Sequence, residues 1–162
     1  MLESVIAAIL LVHPNPTPSI AKYYATVIVE HAVPADIDPY LLVALAFRES
    51  NFNPKAESGV GDYGLLQIRA RALPQFRRNH RPLLDPVTNI KVGVEILRYW
   101  RKHHASQCGK SPKHYWYSHF QWGNRVGNNA SGRRVERLVA WLKERSKTTT
   151  VGWYRFVARV FA

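Results

Sequence analysis

The segment Asp38-Pro39-Tyr40-Leu41-Leu42-Val43-Ala44-Leu45-Ala46-Phe47-Arg48-Glu49-Ser50 constrains this chain more than any other. Asp38 is a natural N-cap and Pro39 suits the first helical position, where a missing N–H is no loss, so a strongly apolar helix begins here. Stepping back from Glu49 by helical repeats gives Ala46, Leu45, Leu42 and Leu41, so the carboxylate continues the buried stripe. Surrounding aliphatic groups disfavour its charged form, which suits a general acid near neutral pH. The other reading is an acid that leaves the stripe where the helix frays, with Asn53-Pro54 as the stop.

The segment that follows, Ser58-Gly59-Val60-Gly61-Asp62-Tyr63-Gly64-Leu65-Leu66-Gln67-Ile68, has three glycines in six positions and reads as turns with a close backbone approach. Gln67 is an amide inside an apolar run and needs hydrogen-bond partners, supplied by a ligand or by its own backbone in a small hairpin.

These residues bring the chain to resemble a known family, the soluble lytic transglycosylases of the lysozyme superfamily. That family follows a helix ending in Glu-Ser with Asn-Pro-x-Ala, Gly-Leu-Met-Gln, Asp-Pro-x-x-Asn-Ile-x-x-Gly and Ala-Tyr-Asn-x-Gly. This chain offers Glu49-Ser50, Asn53-Pro54-Lys55-Ala56, Gly64-Leu65-Leu66-Gln67 and Asp85-Pro86-Val87-Thr88-Asn89-Ile90-Lys91-Val92-Gly93 in the same order. His119-Phe120-Gln121-Trp122-Gly123 is a weaker fifth element.

The resemblance implies a mostly α (α+β) lysozyme-like fold with a small β/turn element beside a cleft. It implies cleavage of the bond between N-acetylmuramic acid and N-acetylglucosamine in peptidoglycan, with a 1,6-anhydro product. Glu49 would be the single catalytic acid and base, and neither cofactor nor metal is required. Ser50, Tyr63, Gly64, Leu65, Gln67, Asn89, Tyr117, Phe120 and Gln121 would meet substrate, with Ser50 otherwise a plain helix-end hydroxyl. Leu66 stands where the family has Met, a volume-conserving exchange. Phe120 stands where the family has a Tyr hydroxyl near the acid, which Tyr117, one helical turn earlier, could supply instead. Two alternatives remain open: a hydrolytic, goose-type muramidase using Glu57 or Asp62, which otherwise read as turn residues, and an inactive basic binder of glycan or nucleic acid.

The 162 residues, 46% of them hydrophobic, suffice for one core. Further helices are predicted near Ile20 to His31, from Asp85-Pro86 onward, from Lys113 to Trp122, and through Val135, Leu138, Val139 and Leu142. The expected organisation is an apolar segment and Pro-rich linker (1–19), the lysozyme-like domain (20–146), and a basic amphipathic segment packed on it (147–162). Trp100 and Trp141 are assigned to the core, and Trp116 or Trp122 to a glycan groove.

A net charge of +12 favours polyanionic partners beyond the glycan strands themselves, such as anionic envelope polymers or a membrane surface. Arg69, Arg71, Arg77, Arg78 and Arg81 around Phe76 would suit nucleic acid, but no nucleic-acid motif accompanies them. A monomer acting on the bacterial cell wall, in the periplasm or from outside, is expected. The apolar run from Val5 to Val12 is far short of the ~20 residues that span a bilayer and reads as a core helix without a cleavage site. That pattern points to a phage-delivered or virion-associated lysin. A single cysteine, Cys108, excludes an internal disulfide, and the histidines lack ligand spacing.

Overall fold

A computed structural model describes the backbone of residues 1–107, 116–118, 120 and 129–160, and the side chains of 1–103, 116, 117, 120 and 130–147. Five long helices are described: α1 (Leu2–Val12), α2 (Pro18–Ala32), α3 (Pro39–Ser50), α4 (Pro86–Gln107) and α5 (Asn129–Val160). Between α3 and α4 lies a two-stranded antiparallel sheet, β1 (Asp62–Tyr63) and β2 (Ile68–Arg69), followed by three short 3-10 turns. The chain is mostly helical with one small β-element, and that element falls in the Gly-rich stretch.

Helix α3 is the centre of the molecule. Asp38 accepts the Tyr40 N–H at 3.0 Å and Pro39 occupies the first turn. Leu41 through Ala46 are all buried, a consecutive run instead of the expected one-sided stripe. The reason is that α1, α2 and α5 all pack against it, leaving no solvent face at its middle. α5 is also fastened to its start: Tyr40 shares a 3.1 Å hydroxyl–hydroxyl bond with the fully buried Ser146, and Lys143 pairs with Asp38.

The stop of α3 comes earlier than Asn53-Pro54. Asn51 and Phe52 both take left-handed backbone angles, φ +55° and +61°. Their N–H groups bond back to the carbonyls of Phe47 (3.0 Å) and Ala46 (3.2 Å), which closes the helix. A positive φ is unusual for phenylalanine. Burial holds it there: Phe52 is 2% exposed, with the rings of His13 and Tyr24 at 5.1 and 5.9 Å. The chain is thereby reversed directly after Glu49.

Along α5, Val135 and Leu142 point into the core, with Leu138 and Val139 partly buried beside them. Trp141, assigned to the core from sequence, is 40% exposed instead. One residue along a helix is a rotation of about 100°, so the neighbour of buried Leu142 is turned outward. Side chains of the tail beyond residue 147 lie outside the described residues, as do Gln121, Trp122 and Cys108.

Candidate active site

Glu49 emerges half-buried on the last turn of α3, at the wall of an open cleft of about 1480 Å³. Gln67 and Phe120 line the same cleft, so three residues singled out from sequence meet there. The acid's position is inherited from the buried run of α3, and the facing wall comes from the β-element and α4.

The β-element is fixed mainly by one side chain. Asn89, in the first turn of α4, is fully buried, and its amide makes three bonds. Oδ1 accepts the Leu66 N–H at 2.8 Å, while Nδ2 donates to the carbonyls of Tyr63 (2.8 Å) and Leu83 (2.7 Å). The expectation that Asn89 touches substrate is therefore corrected: with every polar atom of its amide engaged and no exposed surface, it holds the loop from beneath. Gly64 and Leu65 are likewise buried under the site. A Cβ on Gly64 would collide with the Leu83 carbonyl and the Asn89 amide, and its φ of +76° suits glycine.

Ser50 joins the two walls. Its hydroxyl donates to the Leu65 carbonyl at 2.8 Å, with Ala46 O at 3.3 Å as the alternative. Gln67 sits at φ +47°, and its Nε2 donates to the carbonyls of Ala56 (3.1 Å) and Gly64 (3.0 Å). Its own loop thus takes the amide nitrogen, as the backbone reading of Gln67 expects. Tyr63 stacks on His80 with ring centres 4.1 Å apart, outside the described cleft lining. Tyr117 donates to the Gly132 carbonyl at 3.3 Å, tying its 3-10 turn to the start of α5. It too is absent from the described lining, and so is Trp116.

Three further acids bear on the chemistry. Asp62 reaches the cleft, but Arg69 opposite it in the sheet clamps both oxygens, at 2.6 and 2.9 Å. The same hydrogen bond holds the Arg69 guanidinium above its ordinary pKa, against the smaller effect of burial. Glu57 is exposed and outside the described lining. Glu95 was missed in the sequence; it lines the cleft from α4, beside Arg98 at 3.2 Å. Lys91, Tyr99 and Arg134 were missed as well. Thr88, Lys91, Glu95 and Tyr99 recur at helical spacing after the Asp85-Pro86 start, a signal that the sequence did carry. Of the arginines near Phe76, Arg69 is committed to Asp62 and Arg77 to the Arg71 carbonyl.

The family described as the transglycosylase SLT domain matches residues 27–118, more than half of the chain. The chain is 28% identical over 104 residues to the membrane-bound lytic murein transglycosylase F of Pasteurella multocida, covering 64% of this chain and 20% of that protein. Its likeness to the protein of the same name from Vibrio cholerae is 28% over 124 residues, 76% of this chain and 21% of the relative. With the soluble lytic murein transglycosylase of Salmonella typhimurium it shares 37% identity over 73 residues, 40% of this chain and 11% of that one. The chain thus spans about a fifth or less of the length of these curated relatives. No solved structure matches it.

Proposed function

The chain belongs to the transglycosylase SLT domain family, and on that premise we propose that it cleaves the β-1,4 bond between N-acetylmuramic acid and N-acetylglucosamine in peptidoglycan. Glu49 serves as the only acid and base. In its protonated form it gives its proton to the leaving glycosidic oxygen; the carboxylate then takes the proton of the muramic 6-hydroxyl as that oxygen closes on the anomeric carbon. The ring closure forms the 1,6-anhydro end, no water is consumed, and Glu49 returns to its starting state. Gln67 Oε1 accepts an N–H from an acetamido group beside the acid. The bacterial cell wall is the place of action.

The observation that carries this reading is the state of the other cleft carboxylates. A hydrolase of the two-carboxylate kind needs a second acid to activate water or to act as nucleophile. Among the described residues of the cleft, Asp62 has both oxygens on Arg69 and Glu95 lies beside Arg98. Asp62 nevertheless reaches the cleft, which favours the hydrolytic muramidase as the second reading.

Mass spectrometry of products from purified sacculi separates the readings. Wild type is expected to release muropeptides lighter by one water, and Glu49→Gln to lose about 10³-fold or more of the rate, the scale of removing a group that acts in both proton transfers. Reducing products in their place would assign a hydrolase and turn attention to Asp62. Products undiminished by the substitution would remove Glu49 from the chemistry.

A further inference from the structure

Between Asp62 and Asp85 the chain carries no Asp, Glu or Lys, but five arginines: Arg69, Arg71, Arg77, Arg78 and Arg81. Arg69 is taken up by Asp62. The other four are exposed, on and between the short 3-10 turns Ala70–Ala72, Pro74–Phe76 and Arg81–Leu84. None of the four is paired with a described carboxylate. Arg77 donates its Nε to the Arg71 carbonyl at 3.0 Å, which ties the end of the second turn to the first. The four are absent from the described lining of the cleft, yet Ala72, Leu73, Gln75 and Phe76 of the same stretch belong to it. A patch of uncompensated positive charge therefore stands beside the cleft, separate from the groups that handle the glycan.

The kind of cation narrows the partner. A guanidinium is a planar fork that meets phosphate oxygens with two parallel N–H bonds, whereas an ammonium acts as a point charge. A segment whose cations are all arginine suits phosphate, and four of them close together in the chain suit phosphates that repeat. Nucleic acid is one such polymer, but unpaired bases call for exposed aromatic faces. Tyr63 is stacked on His80, Phe76 is packed against the core, and no aromatic ring of the segment is exposed. Turns of three or four residues do not fill a major groove as a helix does. Recognition of the phosphates alone is what the patch offers. A phosphodiester chain borne on a glycan strand is brought to this place whenever that strand fills the cleft, and membrane phosphates are not.

We propose that Arg71, Arg77, Arg78 and Arg81 dock a phosphodiester polymer of the polyol-phosphate kind that is attached to the wall glycan. The whereabouts of that polymer rest on the peptidoglycan reading above, but its binding does not depend on Glu49.

The test measures binding of the full chain to fluorescent poly(glycerol phosphate) over a range of salt concentrations. Arg77→Gln, Arg78→Gln and Arg81→Gln together are expected to weaken it about tenfold, the scale of three solvent-exposed ion pairs, and to flatten its decline with salt. Circular dichroism and the melting temperature should stay unchanged at these exposed positions. A second triple variant, Lys22→Gln, Lys102→Gln and Arg137→Gln, removes the same charge from exposed sites on α2, α4 and α5. Its loss should be about twofold or less, because distant charges are screened. Equal losses from the two sets would reduce the effect to net charge and overturn the proposal. Polyglutamate of matched charge binding as tightly as poly(glycerol phosphate) would overturn the assignment to phosphate. Tighter binding of a single-stranded oligonucleotide, or of phosphatidylglycerol vesicles, through the same arginines would give the patch to nucleic acid or to a membrane instead. Wild type that does not bind the polymer would overturn the proposal outright. Failure of the transglycosylase reading shows separately, as wild type that releases no anhydro products whatever the binding result.

Discussion

Asn89 illustrates how one residue can matter to a site it never touches. Its amide satisfies one N–H and two carbonyls that are otherwise trapped in the interior. Replacing it by Ala removes three bonds and leaves their partners unpaired, each at a cost of about 1–3 kcal/mol where water cannot reach. We expect Asn89→Ala to lower unfolding stability by about 3 kcal/mol or more in urea titrations, with the unfolding slope unchanged. A loss under about 1 kcal/mol would mean that water takes over the bonds and that the clamp is dispensable. Sequence showed the position but not the role. A polar residue in the first turn of a helix is ordinarily solvated, and only the arrival of the Gly-rich loop on that turn makes it an interior group.

At the scale of elements, the end of α1 and the end of α3 are joined through aromatic rings. His13 lies against Phe52 and Tyr24, and its Nδ1 accepts the Asn15 N–H at 3.1 Å. Burial holds the imidazole below its ordinary value of 6.5, so the fold favours the neutral ring. The unfolded chain then binds more protons. Stability from this contact is complete above pH 6.5 and is lost as pH falls through the lower folded-state value. His13→Phe should accordingly lose less thermal stability than wild type between about pH 7.5 and pH 5. Parallel melting curves for the two proteins across that range would refute the linkage. The same corner marks where the sequence stopped being readable. The start of α3 was legible because Asp38 and Pro39 act locally. Its end was not, because the left-handed turn at Phe52 depends on the rings of His13, just after α1, and Tyr24 of α2. The cleft was legible only in part for a related reason: Glu49, Gln67 and Phe120 sit in motifs and Lys91 and Glu95 showed as a helical spacing, whereas Arg134 is brought to the cleft by a helix far along the chain.

For the whole molecule, the extent of the family match and the extent of the core differ. The match covers residues 27–118, yet Val5, Ala8 and Ile9 of α1 and Val135 and Leu142 of α5 belong to the same buried cluster as α3. Removing those helices would expose the apolar run of α3 on two sides, at roughly 25 cal/mol for each Å² of apolar surface. A fragment of residues 27–118 is expected to show no cooperative thermal transition, while residues 1–147 should unfold in a single one. Cooperative melting of the short fragment would show that α1 and α5 are accessories.

The continuous burial of Leu41 through Ala46 also decides how the acid can move. Loops and lids can open on their own, at little cost to the rest of a fold. Here Glu49 is rooted in backbone whose amides are shielded on every side, the kind that exchange with solvent only when the entire fold comes apart. Its side chain can rotate, but its anchor has no private opening. We expect the amides of residues 41–46 to be among the slowest in the molecule to exchange with deuterium, so that the mount of Glu49 moves only with the fold as a whole.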